Sequence, residues 1–200
     1  MADIIYTFNG KPYFNITNQC PCACVFCLRT TQEGVGSAAS LWHESEPTWE
    51  EIKQALMNYD FTGVSDAVFC GYGEPFCALD TLMRCAAWLK KRYPRISLRV
   101  DTNGLGDLIH GCPTAPALQG LVDTISISLN APNAARYQEL TCSKFGEDAW
   151  PAMLRFAADC KKIVPRVIFS VVDVITPGEM EECRGIAERM GIPLRVRKKS

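Results

Sequence analysis

Apolar residues recur along the chain with two alternating spacings, one typical of strands and one typical of helices. Residues 66–70, 96–101 and 167–174 form short runs rich in apolar and β-branched side chains and predict strands. Residues 48–58, which begin with a Thr-x-x-Glu capping box, and residues 79–93 have apolar side chains at helical spacing and predict helices. Strands that alternate with helices predict a parallel sheet built from right-handed crossover units.

A β-hairpin is predicted at the start of the chain. Asn9-Gly10 separates residues 4–8 from residues 11–17, and both turn residues tolerate positive φ. The other predicted elements are strands at residues 122–130 and 194–197, helices at residues 149–163 and 177–191, and a poorer helix within residues 104–119, which Gly111 and two prolines interrupt.

The number of strand-and-helix units limits the fold. About six units fit into 200 residues, whereas a closed eight-fold barrel needs about 250 residues. We therefore predict an α/β fold in which a partial, laterally open (β/α)6 barrel follows the N-terminal hairpin, with residues 1–200 forming one domain. Thr124, Ser126, Ser128 and Asn130 alternate with apolar residues, so we predict that they form a polar strand face that lines a cavity.

Charge and composition exclude some classes of partner. The formal net charge is -1, and the chain has no clustered excess of Lys and Arg of the kind that binds nucleic acid or an anionic membrane. The N-terminal segment lacks the features of a secretory signal, and no apolar run is long enough to cross a bilayer. We therefore expect a cytoplasmic protein, in which eleven cysteines indicate metal binding or burial rather than disulfides.

Three cysteines are spaced as Cys20-x3-Cys24-x2-Cys27 in a loop after the predicted hairpin. A 4Fe-4S cluster usually takes four thiolates, so three thiolates leave one iron open to a small molecule. Cys22 is either a bystander or a fourth thiolate in a resting state. The alternative is a zinc site made from these four cysteines, although zinc sites commonly combine two separated pairs and no second pair follows downstream.

A second motif, Gly71-Tyr72-Gly73-Glu74-Pro75, follows the strand predicted at residues 66–70. Glycines at the carboxyl end of a strand let the backbone approach a ligand closely, and this end of a barrel carries the active site. Taken alone, the motif is also compatible with an ordinary β-to-α turn.

Residues 15–27 resemble the cluster loop of the radical S-adenosylmethionine (SAM) superfamily. The resemblance implies that Cys20, Cys24 and Cys27 bind a 4Fe-4S cluster whose open iron chelates the amino and carboxylate groups of SAM. It also implies that Phe26 packs near the adenine.

The resemblance extends to the glycine motif, which is similar to the Gly-Gly-Glu-Pro motif of the superfamily. It implies that residues 71–75 bind the methionine amino group through backbone carbonyls, with help from Glu74. Tyr72 stands where the first glycine of that pattern is expected, so the match is partial.

Further polar residues follow the next strands. The resemblance implies that Asp101 and Asn103 reach the ribose hydroxyls, with a plain turn at Asn103 as the alternative. Ser126, Ser128 and Asn130 are candidates for contact with the methionine carboxylate or the substrate.

Nearly the whole chain is similar to the TatD-linked radical SAM proteins. The resemblance implies reductive cleavage of SAM to methionine and a 5′-deoxyadenosyl radical, which abstracts hydrogen from an unknown substrate. It also implies an electron donor such as a flavodoxin or ferredoxin, and a TatD-type hydrolase as a partner. The similar segments are residues 15–27, 41–48, 68–75, 102–111, 121–132 and 195–197.

Other functions stay open at this point. Within the superfamily, a glycyl-radical activase, a modifier of peptides or nucleic acids and a small-molecule lyase are all compatible with an open barrel. Outside radical chemistry, the alternatives are a non-enzymatic module that binds zinc or an iron-sulfur cluster, and a pseudoenzyme that binds the cofactor to regulate a partner.

Overall fold

The computed structural model describes residues 2–199, and within them seven strands form one sheet in the order β1 to β7. Met1 and Ser200, the ends of the predicted domain, lie outside the described residues. The strands are β1 (Ile5–Phe8), β2 (Lys11–Phe14), β3 (Asp66–Phe69), β4 (Ser97–Thr102), β5 (Thr124–Ser128), β6 (Arg166–Val172) and β7 (Leu194–Arg197).

Helices connect the successive parallel strands. The α-helices are α1 (Trp49–Asn58), α2 (Leu79–Arg92), α3 (Gly106–His110), α4 (Ala134–Thr141), α5 (Ala149–Cys160) and α6 (Pro177–Met190). Short 3-10 turns lie at Leu28–Thr30, Pro75–Ala78, Ala115–Leu118 and Gly146–Asp148.

The sheet topology confirms the predicted fold class. β1 pairs with β2 in antiparallel fashion, and every later neighbouring pair is parallel. Strands β2 to β7 form six parallel strands with helical crossovers, of which β2 is also the second arm of the hairpin, and β1 and β7 lie at the two open edges of the sheet. The hairpin turn at Asn9-Gly10 has positive φ at both residues, 49° and 72°, as predicted.

The two predicted capping boxes are also confirmed. Thr48 accepts a hydrogen bond from the backbone N–H of Glu51, whose carboxylate accepts from the Thr48 N–H, and Thr176 and Glu179 form the same box at the start of α6. Within residues 2–199, no helix is long and apolar enough to span a membrane.

One face of the sheet is the main core. Phe14, Phe69, Val100, Ile125 and Val167 are aligned across β2 to β6, and each is less than a tenth exposed. Burying a side chain of this size stabilises the fold by about 1.5–3 kcal/mol. This face packs against the helices. The packing holds the strands in position, and with them the loops at the carboxyl ends of the strands.

The opposite, concave face carries polar groups. Asp101 of β4 is aligned with Ser126 of β5, and Ser128 of β5 is aligned with Ser170 of β6. The predicted polar face of β5 is therefore confirmed for its strand residues. Asn130 lies beyond the strand with φ of 54°, so it does not continue the alternation.

The structure differs from the sequence prediction in three places. Helix α4 was not expected, although Asn133 caps it by accepting a hydrogen bond from the Arg136 N–H. Its eight residues are too few to give a helical apolar repeat. The strand predicted at residues 122–130 is shorter, and the region 104–119 contains only the one-turn helix α3 and a 3-10 turn, because Gly111 ends α3 with φ of 67°.

Candidate cluster and cofactor site

The predicted site residues come from loops at one edge of the sheet. The cysteine loop follows β2, the glycine motif follows β3, Asn103 follows β4 and Asn130 follows β5. Because these strands are parallel, their carboxyl ends meet at the same edge. The sheet therefore brings together segments that are far apart in sequence.

The base of the cysteine loop is fixed by the segment at residues 41–46. The Thr17 hydroxyl donates a 2.6 Å hydrogen bond to Glu46, and the Asn18 N–H donates to the same carboxylate. Asn18 and His43 exchange two further hydrogen bonds, at 2.7 and 3.1 Å. The loop therefore leaves β2 in a set direction.

The tip of the loop is held by helix α4. The Ala23 N–H donates to the Thr141 carbonyl at 2.9 Å, and the Val25 N–H donates to the Leu140 carbonyl at 3.0 Å. The Arg29 guanidinium donates to the Cys22 carbonyl at 2.9 Å. The bonds from Ala23 and Val25 use carbonyls that the end of α4 leaves without an intrahelical partner, so the loop completes the hydrogen bonding of the helix end.

Four cysteine sulfurs differ in environment. Cys20, Cys24 and Cys27 are partly exposed, whereas Cys22 is buried. A hydrogen bond from the Cys22 thiol lowers the pKa of Cys20 to about 6 and also lowers the pKa of Cys24, while the same bonds raise the pKa of Cys22. Burial raises the pKa of Cys27. Cys20 and Cys24 are thus favoured as thiolates, the form that binds iron.

The cysteines do not converge on a single point. Among residues 2–199, no group of three His, Cys, Asp or Glu side chains is arranged to hold one metal ion. A tetrahedral zinc site needs such convergence, whereas a cubane takes each thiolate on a different iron atom.

Two glycines let the loop after β3 lie against the cysteine loop. A Cβ atom on Gly71 would lie 2.1 Å from the Asn15 Oδ1 atom, and one on Gly73 would lie 2.2 Å from the Thr17 carbonyl oxygen. The Glu74 N–H donates to the Gln19 carbonyl at 2.7 Å. Glycine is therefore required at both positions, and the glycine loop lies in direct contact with the cysteine loop.

Tyr72 departs from the glycine pattern without disturbing this approach. Its N–H donates to the Asn15 side chain at 3.1 Å, while its ring packs edge-to-face on Trp42, with ring centres 5.3 Å apart. Its hydroxyl donates to the Gln32 carbonyl. The side chain thus packs into a second apolar cluster, formed with Tyr6, Ala38 and Leu41.

The Glu74 carboxylate is buried and occupied by protein groups. It accepts hydrogen bonds from the Thr102 hydroxyl at 2.7 Å, from the Phe76 N–H at 3.1 Å and from the Asn103 N–H at 2.7 Å. Burial, with the negative Cys20 nearby, raises the pKa of Glu74 to about 8. Glu74 therefore ties the loop after β3 to the end of β4.

Replacing Glu74 with glutamine is expected to destabilise this junction. An amide must present its NH2 group to one of three donors, so a buried N–H or O–H loses its acceptor, at a cost of about 1–3 kcal/mol. Urea denaturation of the cluster-free protein should show the loss. Exposed Glu147, changed to glutamine as the control, should leave stability unchanged. Equal stability of both variants would contradict the bridging role.

Asn103 lies beside the cysteine sulfurs. Its Nδ2 atom is 3.9 Å from the Cys20 sulfur and 3.8 Å from the Cys22 sulfur, and its Oδ1 accepts from the Leu105 N–H. The turn that sequence reasoning offered as the alternative is therefore present as well. The Asn103 amide is in position to contact whatever the sulfurs bind.

Asp101 lies deeper, on the concave face of the sheet. It forms an ion pair with Arg99 at 2.9 Å. Burial raises the pKa of Asp101, while the positive charges of Arg99, Arg197 and Arg195 oppose that effect. The Asp101 carboxyl therefore lies among three guanidinium groups.

The remaining candidates lie at different depths. Phe26 is partly buried and packs against the main core, and Ser126 is buried beside Asp101. Ser128 is partly exposed on the same face. Asn130 is buried, and its Oδ1 atom has no hydrogen-bond partner within residues 2–199. An orphaned buried acceptor indicates a missing partner.

The family comparison decides the class of this protein. The model of the radical SAM superfamily matches residues 14–190, which is most of the chain. The chain belongs to the radical SAM superfamily. This family carries a 4Fe-4S cluster and binds SAM. The comparison with curated proteins gives no match.

Solved structures with this radical SAM fold are similar over most of the chain. SuiB from Streptococcus suis bound to SAM matches with 17% identity and a TM-score of 0.66, over 94% of this chain and 40% of SuiB. A radical SAM methyltransferase from Sphaerobacter thermophilus matches with 16% identity and a TM-score of 0.62, over 97% and 68%. The protein anSMEcpe with bound AdoMet matches with 16% identity and a TM-score of 0.60, over 94% and 50%. The chain thus spans less than half of SuiB and half of anSMEcpe.

The residues present fit a radical SAM cofactor pair. The cysteine loop supplies three partly exposed sulfurs, those of Cys20, Cys24 and Cys27. Hydrogen bonding from the Cys22 thiol lowers the pKa of Cys20 and Cys24. Two buried polar atoms, Asn130 Oδ1 and the Tyr137 hydroxyl, have no partner within the described residues. Radical SAM membership also indicates an enzyme.

Sequence reasoning missed helix α4, although its end fixes the cysteine loop. The contacts of Ala23 and Val25 with this helix join residues more than 110 positions apart, so no local spacing reveals them. A weak signal was available in Asn133, a preferred N-cap residue after a proline. Glu46 was also missed, because its partners Thr17 and Asn18 are distant in sequence.

Proposed function

We propose that this chain is a radical SAM enzyme that holds a 4Fe-4S cluster through Cys20, Cys24 and Cys27 and cleaves SAM reductively. When bound, the cluster supplies the electron that converts SAM to methionine and a 5′-deoxyadenosyl radical, which takes hydrogen from a substrate. The observation that carries the proposal is the packing of the three-cysteine loop against the glycine loop at one sheet edge.

The chain itself contributes ligands and orientation. Cys20 and Cys24 are favoured as thiolates, which supports their role as iron ligands. The glycine loop at residues 71–75 offers backbone carbonyls to the methionine amino group. Glu74 orients this loop, because its carboxylate oxygens are already hydrogen-bonded to protein donors.

Other predicted residues are proposed to position SAM and the substrate. Asn130 offers an unpartnered acceptor at the end of β5, and Asn103 offers an amide beside the sulfurs. Phe26 is proposed to pack on the adenine. Asp101 and Ser126 lie aligned on the concave face, in position for the ribose or the substrate, and Ser128 extends the same face.

The proposal includes partners and a subgroup. We propose that the chain is a TatD-linked radical SAM protein, on the six segments quoted from its sequence. A flavodoxin or ferredoxin is proposed as electron donor because reductive cleavage needs an outside electron. A TatD-type hydrolase is proposed as a further partner. The cytoplasm, where such donors are reduced, is the proposed location.

Anaerobic reconstitution with iron and sulfide tests this function. We expect a brown protein with about four irons per chain, the number in one cubane. With dithionite and SAM, the protein should release 5′-deoxyadenosine and methionine in equal amounts.

Controls separate the alternatives. Omitting dithionite should stop release of 5′-deoxyadenosine while the cluster stays bound. A protein that binds zinc instead of iron would be a non-enzymatic module. A cluster whose spectrum changes with SAM but yields no 5′-deoxyadenosine would indicate a cofactor-binding pseudoenzyme.

A further inference from the structure

Tyr137 is a buried residue of helix α4 that the proposed function does not use. Its side chain is fully buried, and its hydroxyl has no hydrogen-bond partner among residues 2–199. A buried hydroxyl without a partner is destabilising, and folded proteins retain few such groups. The position therefore calls for a bound group that supplies the missing acceptor.

The surroundings of the hydroxyl point to the cysteine loop. Tyr137 lies one turn before Leu140 and Thr141, and all three side chains are buried on the same side of α4. The carbonyls of Leu140 and Thr141 accept hydrogen bonds from Val25 and Ala23 of the cysteine loop. An acceptor brought to the cysteine sulfurs would therefore lie close to the hydroxyl.

The helix that carries Tyr137 is held against the cysteine loop. Helix α4 accepts the two backbone bonds from Ala23 and Val25, and the Thr141 hydroxyl donates to the Tyr137 carbonyl at 2.8 Å inside the last turn. The Tyr137 side chain is fully buried, so solvent does not supply the missing partner.

We propose that the Tyr137 hydroxyl donates a hydrogen bond to a sulfur atom of the cysteine-bound 4Fe-4S cluster. The inference rests on the proposed function, because the cluster is the acceptor. A donor near the sulfurs stabilises the more negative, reduced cluster and raises its reduction potential. Tyr137 therefore adjusts how readily the cluster takes up the electron that SAM cleavage requires.

One neighbouring group acts in the same direction. The Asn103 amide nitrogen lies 3.9 Å from the Cys20 sulfur. Tyr137 approaches from helix α4, whereas Asn103 approaches from the end of β4. The donors thus reach the sulfurs from separate elements, and each contributes separately to the potential.

Tyr137→Phe tests the proposal by a redox titration of the reconstituted cluster, followed by EPR. We expect the ratio of reduced to oxidised cluster at a fixed potential to fall about three- to tenfold, where tenfold corresponds to about 59 mV for one electron. Tyr93→Phe is the matched control, because the Tyr93 ring packs on Phe61 and Trp88. It should leave the titration unchanged.

Thermal unfolding supplies a second readout. Without the cluster, Tyr137→Phe removes an unpartnered hydroxyl, so its melting temperature should equal or exceed that of the wild type. Cluster loading should raise the melting temperature less in the variant than in the wild type, since only the wild type gains the bond. A merely structural tyrosine would change both forms equally.

The outcomes distinguish this inference from the proposed function. Equal potentials and equal melting increments in Tyr137→Phe and the wild type would overturn the hydrogen bond, even while 5′-deoxyadenosine is released. Failure of the wild type to assemble any cluster would overturn both the hydrogen bond and the proposed function. A lower potential with a smaller melting increment in Tyr137→Phe alone supports the bond.

Discussion

Cys24→Ala is expected to abolish cluster binding and SAM cleavage. The thiolate of Cys24 is stabilised by the Cys22 thiol and held in a loop anchored at both its base and its tip. Alanine offers no ligand, and Cys22, the other cysteine of the loop, is buried with a raised pKa and is therefore disfavoured as a replacement thiolate. Loss of a group that only hydrogen-bonds to a metal ligand typically lowers metal affinity about 10–100-fold. Loss of a ligand itself should therefore lower 5′-deoxyadenosine release at least about 100-fold.

Iron and sulfide content, with the visible absorption of the reconstituted protein, measure this loss. Cys112→Ala is the matched control, because Cys112 is an exposed cysteine away from the cysteine loop. It should assemble the cluster normally. Full iron content in Cys24→Ala, with unchanged 5′-deoxyadenosine release, would contradict the assignment of the three ligands.

Local patterns in the sequence account for the strands, the helix starts and the placement of the loops. Capping boxes at Thr48 and Thr176 depend on residues three positions apart, and the hairpin turn depends on two adjacent residues. The polar face of β5 depends on a period of two. These patterns predict the structure correctly because the interactions behind them join residues that are close in sequence.

The positions of the cysteine loop and the glycine motif were predictable for a different reason. Parallel strands bring their carboxyl ends to one edge, so two motifs that follow neighbouring strands lie near each other. The chain order β2, β3, β4 and β5 is also the spatial order, which places the loops in sequence along that edge. The sheet topology therefore places motifs that are distant in sequence next to each other in space.

The detailed partners inside the site were not predictable. The resemblance implied that Glu74 helps the backbone carbonyls to bind the methionine amino group, but it did not reveal that Thr102, Asn103 and Phe76 donate hydrogen bonds to the Glu74 carboxylate. Tyr72 seemed only a departure from the motif, whereas its ring completes a packing cluster with Trp42. Both findings depend on contacts between loops whose conformations no spacing specifies.

Gly73→Ala is expected to separate the glycine loop from the cysteine loop. The new Cβ atom would lie 2.2 Å from the Thr17 carbonyl oxygen and 2.8 Å from the Gln19 carbonyl oxygen, so the backbone must move. Overpacking typically costs 1–3 kcal/mol, and a clash with two backbone carbonyls should destabilise the fold by about 3 kcal/mol. The shift also displaces the carbonyls proposed to hold the methionine amino group, so SAM affinity should fall.

Gly178→Ala is the matched control for this exchange. Gly178 lies in the first turn of α6, where a Cβ atom would meet no other atom within 4 Å. Since alanine is favoured over glycine in helices by up to about 1 kcal/mol, this variant should be as stable as the wild type or slightly more stable. Urea denaturation and SAM titration of both variants measure the difference. If Gly73→Ala matched Gly178→Ala in both measurements, the close approach of the two loops would not determine how the site binds SAM.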